Sequence, residues 1–449
     1  METDDFRYAF SVVAPCRMNY LLTEASRMTP DGARIAGIIA EYNPYHNGHL
    51  YQMRKARSTT GAPWCIVLLS GSFVQRGEPA IYSTAARAEA ALRCGADAVF
   101  EIPAPFSTAS AREYARYGTG LLSALGVSYI ACGTEDASAE DLTLLAEAVD
   151  ESTAAFRFTL REGLRSGLTY PDARLRAILL DLEQAGAAEQ TLNRVRSALS
   201  QPNNILAFEY ARAIRESGSR MKLVTSLRQG SGYHDPLLRG SFSSATALRQ
   251  QLYSSGDLSS LTPYMPSAAA GTFAETLPLF PDAFCRSFRE RILQFRHEGR
   301  DLTEFADITP DLSDRILRAE LRCDSWNSLV NSIKTRQYTY TRISRALTHI
   351  LLDITEEDFH LWKSVPAWFC ARLLGFRRES EAVLSALKLS SSAVIISKAA
   401  DAARLLGEDS PSLNILKAEA YAQELWNSAY FEQYGKRLPD YYRQQIIVV

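Results

Sequence analysis

Between Arg34 and Thr134 the chain alternates short, continuously apolar runs with longer stretches of mixed polarity. Ile35 to Ala40 and Trp64 to Leu69 have strand length and no polar face, and Ala96 to Ile102 and Val127 to Cys132 are mainly apolar runs of the same length. Between them, Leu50 to Arg57, the Ala-rich stretch from Ser83 to Cys94, and Ser107 to Leu125 carry helical periodicity. Runs that are apolar on both faces, alternating with helices, predict a parallel sheet covered on both sides: a Rossmann-like, doubly wound α/β arrangement. Ligands of such sheets bind beyond the carboxyl ends of the strands. The loops after Ala40, Leu69, Ile102 and Cys132 are therefore expected around one site, and each is rich in Gly, Ser, Asn or Pro.

Further on, Ala139 to Glu216 reads as helical, with breaks at 167–171 and 201–204. Leu223 to Leu227 predicts one more strand, and Ser243 to Arg249 opens a helix with serine as its N-cap. Pro263 to Pro281 contains four prolines and is expected to be a linker. Beyond it the periodicity is almost wholly helical. The expected organisation is a poorly ordered extension over 1–30, a catalytic α/β domain over 31–262, a linker over 263–281 and an α-helical domain over 282–449.

Composition narrows the function classes. At 449 residues the chain is too long for one compact core. A net charge of −2 means that any nucleic-acid binding must come from a local patch. The seven cysteines are scattered with no C-x-x-C pair, as reduced thiols of a cytoplasmic protein would be. No apolar run reaches the roughly 18 residues of a membrane span. Phe6 to Val13 is mildly apolar, but acidic residues precede it and no cleavage site follows, which argues against a signal peptide. Met18 and Met28 are alternative starts.

The densest chemistry lies in Ile38-Ile39-Ala40-Glu41-Tyr42-Asn43-Pro44-Tyr45-His46-Asn47-Gly48-His49-Leu50-Tyr51. A buried strand ends, the chain turns, and a helix opens on H-x-G-H. Two imidazoles three positions apart across a tight turn can face one phosphate, as in enzymes that act on the α-phosphate of ATP. Gly48 would let the nucleotide approach the backbone, and the helix N-terminus would offer N–H groups to the phosphates. His46 and His49 are the catalytic candidates, stabilising charge on the α-phosphate and the departing pyrophosphate. Ser244, Thr246 and Arg249 combine helix-terminal hydroxyls with a cation suited to further phosphates. Gln75 and Arg76, in the polar loop from Ser70 to Pro79, are candidates for the second substrate. Gly133, in Gly133-Thr134-Glu135, leaves room for adenine or ribose. From Ser325 to Leu352 there is no acidic residue; Lys334, Arg336, Arg342 and Arg345 interleave with Tyr338 and Tyr340, a pattern that suits RNA. No P-loop, zinc spacing or nucleophile elbow is present.

These motifs, in this order, resemble the bacterial tRNA(Met) cytidine acetate ligases, relatives of the H-x-G-H nucleotidyltransferases. The resemblance runs from about Arg34 into the C-terminal region. It rests on Glu41 to Leu50, Ser70 to Pro79, Gly133 to Glu135, Gln201 to Leu206, Arg228 to Asp235, Ser244 to Arg249 and Ile333 to Arg342. It implies activation of acetate by ATP, with Mg²⁺, as acetyl-adenylate. The acetyl group would then pass to N4 of the wobble cytidine of elongator tRNA(Met). It places ATP contacts on residues 38–51, Gly133, Arg228 and one asparagine of the Asn203-Asn204 pair, Asn204 being favoured. No protein ligand to a metal is assigned. The helical region, with Lys334, Arg336, Tyr338, Tyr340, Arg342 and Arg345, is expected to contact tRNA. The chain departs from the family at the N-terminal extension and at Glu320 to Asp324. Two other readings fit the residues alone: a nucleotidyltransferase adenylating a small phosphorylated metabolite, and a non-catalytic RNA-binding protein.

Overall fold

A computed structural model describes residues 34–228, 242–319, 325–364 and 370–449. The expected extension over 1–30, Gln229 to Asp235 of the motif that begins at Arg228, and the divergent segment Glu320 to Asp324 lie outside them.

The four apolar runs near the start form strands Ile35–Ala40, Trp64–Ser70, Ala98–Ile102 and Tyr129–Thr134, and the fifth is Lys222–Leu227. All pair in parallel, with Ile35–Ala40 at the centre between Trp64–Ser70 and Tyr129–Thr134. In chain order this half of the sheet reads 3-2-1-4-5, so the topology reverses at the first strand. A crevice opens there between the carboxyl ends of the first and fourth strands. The two strands Ile35–Ala40 and Trp64–Ser70 are almost wholly apolar on both faces because helices cover both. Ile38, Val67 and Leu69 face one core cluster, whereas Ile35, Ile66 and Leu68 face the other.

Two expectations change. Residues 282–449 are not wholly helical: Cys370–Phe376 joins the sheet antiparallel to Ala98–Ile102, and Val394–Ile396 and Ile447–Val448 pair with it in parallel. Arg372 explains why this strand does not look like one in sequence. Its guanidinium is buried in the sheet, where it meets the Glu101 carboxylate at 3.1 Å and lies 3.6 Å from the centre of the Tyr441 ring. A charge breaks the apolar run, and its partners come from remote segments. Nor is 263–281 an open linker. It contains the helix Ser267–Ala274, whose Phe273 is buried and stacks on Tyr82 with ring centres 4.4 Å apart.

The C-terminal region also holds the loops of the crevice. Glu419, buried on the long helix Pro411–Tyr434, accepts the backbone N–H of Ser72 and of Ala104, in the loops after the second and third strands. Arg87, fully buried on Thr84–Arg93, donates to the carbonyls of Glu41 (2.8 Å), Ser70 (2.9 Å) and Gly71. One guanidinium thus fixes the ends of two strands, and satisfied hydrogen bonds are what make its burial tolerable.

Candidate active site

The strand Ile35–Ala40 ends in a sharp turn. Tyr42 has φ +47°, the Asn43–Pro44 peptide is cis, and His46 becomes the N-cap of the helix Asn47–Thr60. Tyr42, Asn43, Pro44 and Tyr45 are buried behind the turn, and the Asn43 side chain accepts the N–H of Ile81 at 2.8 Å. These four residues shape the turn. The cleft itself is lined by Ile39, Ala40, Glu41, His46 and His49, while Ile38 belongs to the core.

The two imidazoles stack with centres 3.7 Å apart. Nδ1 of His46 accepts the N–H of Gly48 (3.0 Å), and Nδ1 of His49 accepts the N–H of His46 (3.2 Å). With both Nδ1 atoms acting as acceptors, the proton of each neutral ring sits on Nε2. Burial, with Arg228 and Arg249 nearby, brings His46 down to about 3. Burial, His46 and Arg228 hold His49 well below its ordinary value. At neutral pH the pair is therefore uncharged and offers two Nε2–H donors. The N–H of Gly48, expected to face a phosphate, instead caps on the His46 ring. The reason for glycine at 48 is equally local, because a Cβ there would lie 2.8 Å from Cε1 of His46.

Around the histidines the fold assembles most of the remaining candidates. Gln75, Arg76, Gly133, Arg228, Ser244, Thr246 and Arg249 line the same cleft. Thr246 Oγ1 accepts from Arg249 (3.5 Å) and Arg76 (3.4 Å), and Arg249 also donates to the carbonyl of Asn43 (2.9 Å). Ser244 is the N-cap of Ala245–Ser255 through its bond from the N–H of Ala247 (3.1 Å). Glu41 accepts the N–H of Gln75 (3.1 Å), which ties the 70–79 loop to the first strand. Three arginines and two imidazole donors against one carboxylate make a cleft suited to a polyanion. Asn47 donates to the carbonyl of Pro263 (3.1 Å), Leu50 packs against the core, and Tyr51 meets Phe242 in a small adjoining cavity.

Asn204 is not brought to the cleft. Its side chain is fully buried, accepts the N–H of Glu135 (2.9 Å) and donates to Asp136 (2.6 Å). Asn203 is the member of the pair that lines the cleft. The Glu135 carboxylate occupies the N-terminus of the helix Pro202–Glu216, accepting the N–H of Asn203 (3.2 Å) and Asn204 (3.0 Å). Sequence reading also missed Gln52, Tyr114, Leu206 and Tyr210 on the cleft wall. Gln52, Tyr114 and Tyr210 carry no motif, and Leu206, which ends the Gln201 to Leu206 motif, has no chemistry that marks it; only helix packing on the sheet aims them there.

The basic-aromatic run divides. Lys334 and Arg336 are exposed. Tyr338 is buried, with its hydroxyl 2.8 Å from Thr309 Oγ1, so it is a core residue and no stacking platform. Tyr340 is half-buried, and Arg345 pairs with Asp307 at 3.2 Å. Arg342 lies over the Tyr338 ring, 5.3 Å from its centre. The helix Tyr340–Leu352 packs on the 70–79 loop, where Ser344 and Thr348 donate to the carbonyl of Gly77.

Residues 33–437 match the family described as HIGH Nucleotidyl Transferase. Proteins called tRNA(Met) cytidine acetate ligase are similar over most of their length. That of Syntrophotalea carbinolica is 36% identical over 79% of this chain and 82% of its own. That of Halothermothrix orenii is 34% identical over 80% and 85%, and that of Acetivibrio thermocellus 32% over 93% and 100%. The chain belongs to the tRNA(Met) cytidine acetate ligase family. Its fold is that of Thermotoga maritima TmcAL. The apo crystal structure superposes with a TM-score of 0.83 at 25% identity, covering 93% of this chain and 100% of that one. A second crystal form, bound with alpha-thio ATP, gives 0.81 at 24% identity with the same coverage. Among the described residues, no group of three or more His, Cys, Asp or Glu could hold a metal ion, and no helix is long and apolar enough to cross a membrane.

Proposed function

We propose that the protein is a cytoplasmic ATP-dependent ligase that activates acetate as acetyl-adenylate and acetylates N4 of the wobble cytidine of elongator tRNA(Met). The observation that carries this reading is the convergence of His46, His49, Arg76, Arg228 and Arg249 on one cleft at the topological switch point, in a member of this family.

The first step brings two anions together. Acetate is already a nucleophile at neutral pH, so the site needs no general base; it has to screen charge and hold an in-line approach. Arg228, Arg249 and Arg76 supply the screening. The His46 and His49 Nε2–H groups donate to oxygens of the α-phosphate, where charge rises as pyrophosphate leaves; such a donor is worth about 10²–10³ in rate. Because the fold keeps both rings neutral, they act as fixed donors and not as acids. ATP contacts fall on Ile39 to Glu41, His46 and His49 of the 38–51 segment, and on Gly133, Asn203 and Arg228. Mg²⁺ would be carried by the triphosphate oxygens and water and would add to the charge screening; among the described residues no group of His, Cys, Asp and Glu could cage it. In the second step the exocyclic amine attacks the acyl carbon and AMP departs. Lys334, Arg336 and Arg342 contribute to holding the tRNA.

The test is transfer of labelled acetate to purified tRNA with ATP and Mg²⁺. Label entering elongator tRNA(Met) only when ATP is present supports the reading. ATP cleavage to AMP and pyrophosphate without labelled tRNA would leave adenylation standing and remove the acceptor, reopening adenylation of a small phosphorylated metabolite.

A further inference from the structure

Beside the cleft lies a second cavity of about 530 Å³, within the range of sites for small-molecule ligands. The two share walls. The helix Pro202–Glu216 turns Asn203, Leu206 and Tyr210 to the cleft and Ile205 and Glu209 to the cavity. The start of Ala111–Ala124 does the same, with Tyr114 on one side and Ser110 to Glu113 on the other. One helix diameter, about 10 Å, separates them.

The cavity has two chemically distinct sides. One is apolar, with Pro171, Leu175 and Ile178, and at its edge stands Tyr170, an aromatic left 44% exposed. The other is charged, with four arginines against the carboxylates of Glu113, Glu209 and Asp307. Arg174 pairs with Glu151 (2.7 Å) and Glu209 (2.5 Å), Arg112 with Glu151 (3.2 Å), and Arg345 with Asp307 (3.2 Å). Arg342 makes no ion pair among the described residues and remains as the excess positive charge. The helices Ala111–Ala124, Tyr170–Gln184 and Tyr340–Leu352 all begin at this cavity, which adds positive potential. From the exposed Lys334 and Arg336 the chain runs directly into Gln337 and Thr339 on the cavity wall.

We infer that this cavity receives one unstacked nucleotide of the RNA, its base against Tyr170 and the apolar wall and its phosphate on Arg342. An aromatic face beside a surplus arginine is the chemistry that holds single-stranded nucleic acid. The shared helix places that nucleotide next to the one entering the cleft. The inference rests on RNA being the acetyl acceptor.

The test uses the full chain and an elongator tRNA(Met) transcript, with affinity measured across a salt series and acetate-dependent ATP–pyrophosphate exchange measured without RNA. Tyr170→Ala is expected to raise the Kd about tenfold or more while leaving exchange within about twofold of wild type, since the residue does not line the cleft and is 44% exposed. Arg342→Gln is expected to weaken binding and lower the salt slope by about one. Wild-type affinity and slope in both variants would overturn the subsite even though the enzyme still binds tRNA, and would point the cavity to some other ligand. Parallel loss of exchange in Tyr170→Ala would also overturn it, marking the cavity as part of the scaffold. A wild-type protein that catalyses exchange yet binds no tRNA would remove the acceptor reading and the subsite together.

Discussion

His49→Ala removes two separable things. The first is structural: Nδ1 accepts the N–H of His46 at 3.2 Å, and the ring packs on His46, Tyr42 and Tyr45 with centres at 3.7, 4.8 and 5.5 Å. One cap hydrogen bond and these ring contacts amount to about 2–3 kcal/mol of stability. The second is the Nε2–H donor in the cleft, worth about 10²–10³ in rate, or roughly 3–4 kcal/mol of transition-state stabilisation. His49→Asn separates them, because a side-chain oxygen near the Nδ1 position can still accept the His46 N–H while no donor reaches the Nε2 position. The assays are urea unfolding and acetate-dependent ATP–pyrophosphate exchange. Both variants should lose exchange by about two to three orders of magnitude, and Asn should recover at least about 1 kcal/mol of the stability that Ala loses. Exchange in His49→Ala within about fivefold of wild type would refute the donor role. Recovery of rate together with stability in His49→Asn would show that the imidazole only shapes the turn.

Three further outcomes follow from the geometry. The fold keeps His46 neutral down to about pH 3, whereas the unfolded chain protonates it near pH 6.5. The unfolded state therefore binds more protons between those values, so stability is full above about pH 6.5 and falls on acidification; His46→Gln should flatten that fall by up to about 1.4 kcal/mol per pH unit in urea titrations. Gly77 has φ +71°, and a Cβ there would lie 2.3 Å from the backbone N of Arg345. Gly77→Ala should push the 70–79 loop off the helix Tyr340–Leu352, costing at least about 2 kcal/mol and slowing exchange about tenfold or more as Gln75 and Arg76 shift. Asn203→Ala should raise the KM for ATP about fivefold with little loss of stability, whereas Asn204→Ala, which strands the Glu135 N–H, should cost about 1–3 kcal/mol; the reverse pattern in exchange kinetics and urea midpoints would return the ATP contact to Asn204.

How much could be read from sequence varied with the physical cause of each element. Strands buried on both faces must be apolar throughout, so Ile35–Ala40 and Trp64–Ser70 were visible without knowing their partners. Their carboxyl ends then located the cleft loops, and the H-x-G-H pattern located the histidines. Cys370–Phe376 escaped because Arg372 interrupts it, and that charge is tolerable only where Glu101 and Tyr441 close around it. The register of Asn203 and Asn204 escaped because adjacent helical residues point about 100° apart, and only the docking of their helix decides which meets the cleft. Tyr338 reads as a base-stacking ring beside its arginines, yet its burial depends on Thr309 and the surrounding helices.

Local spacing and apolar patterning are enough to specify the parallel sheet, the turn at His46 and His49 and the loops that border the cleft, because each is a property of a short stretch of chain. That both imidazoles are neutral is a tertiary effect, since the shifts come chiefly from burial and from Arg228, with Arg249 also acting on His46, and both arginines are distant in the chain. Tertiary structure alone decided that the C-terminal region completes the sheet and holds the loops through Glu419. Such contacts join positions hundreds of residues apart, and no local pattern encodes which two buried charges will meet.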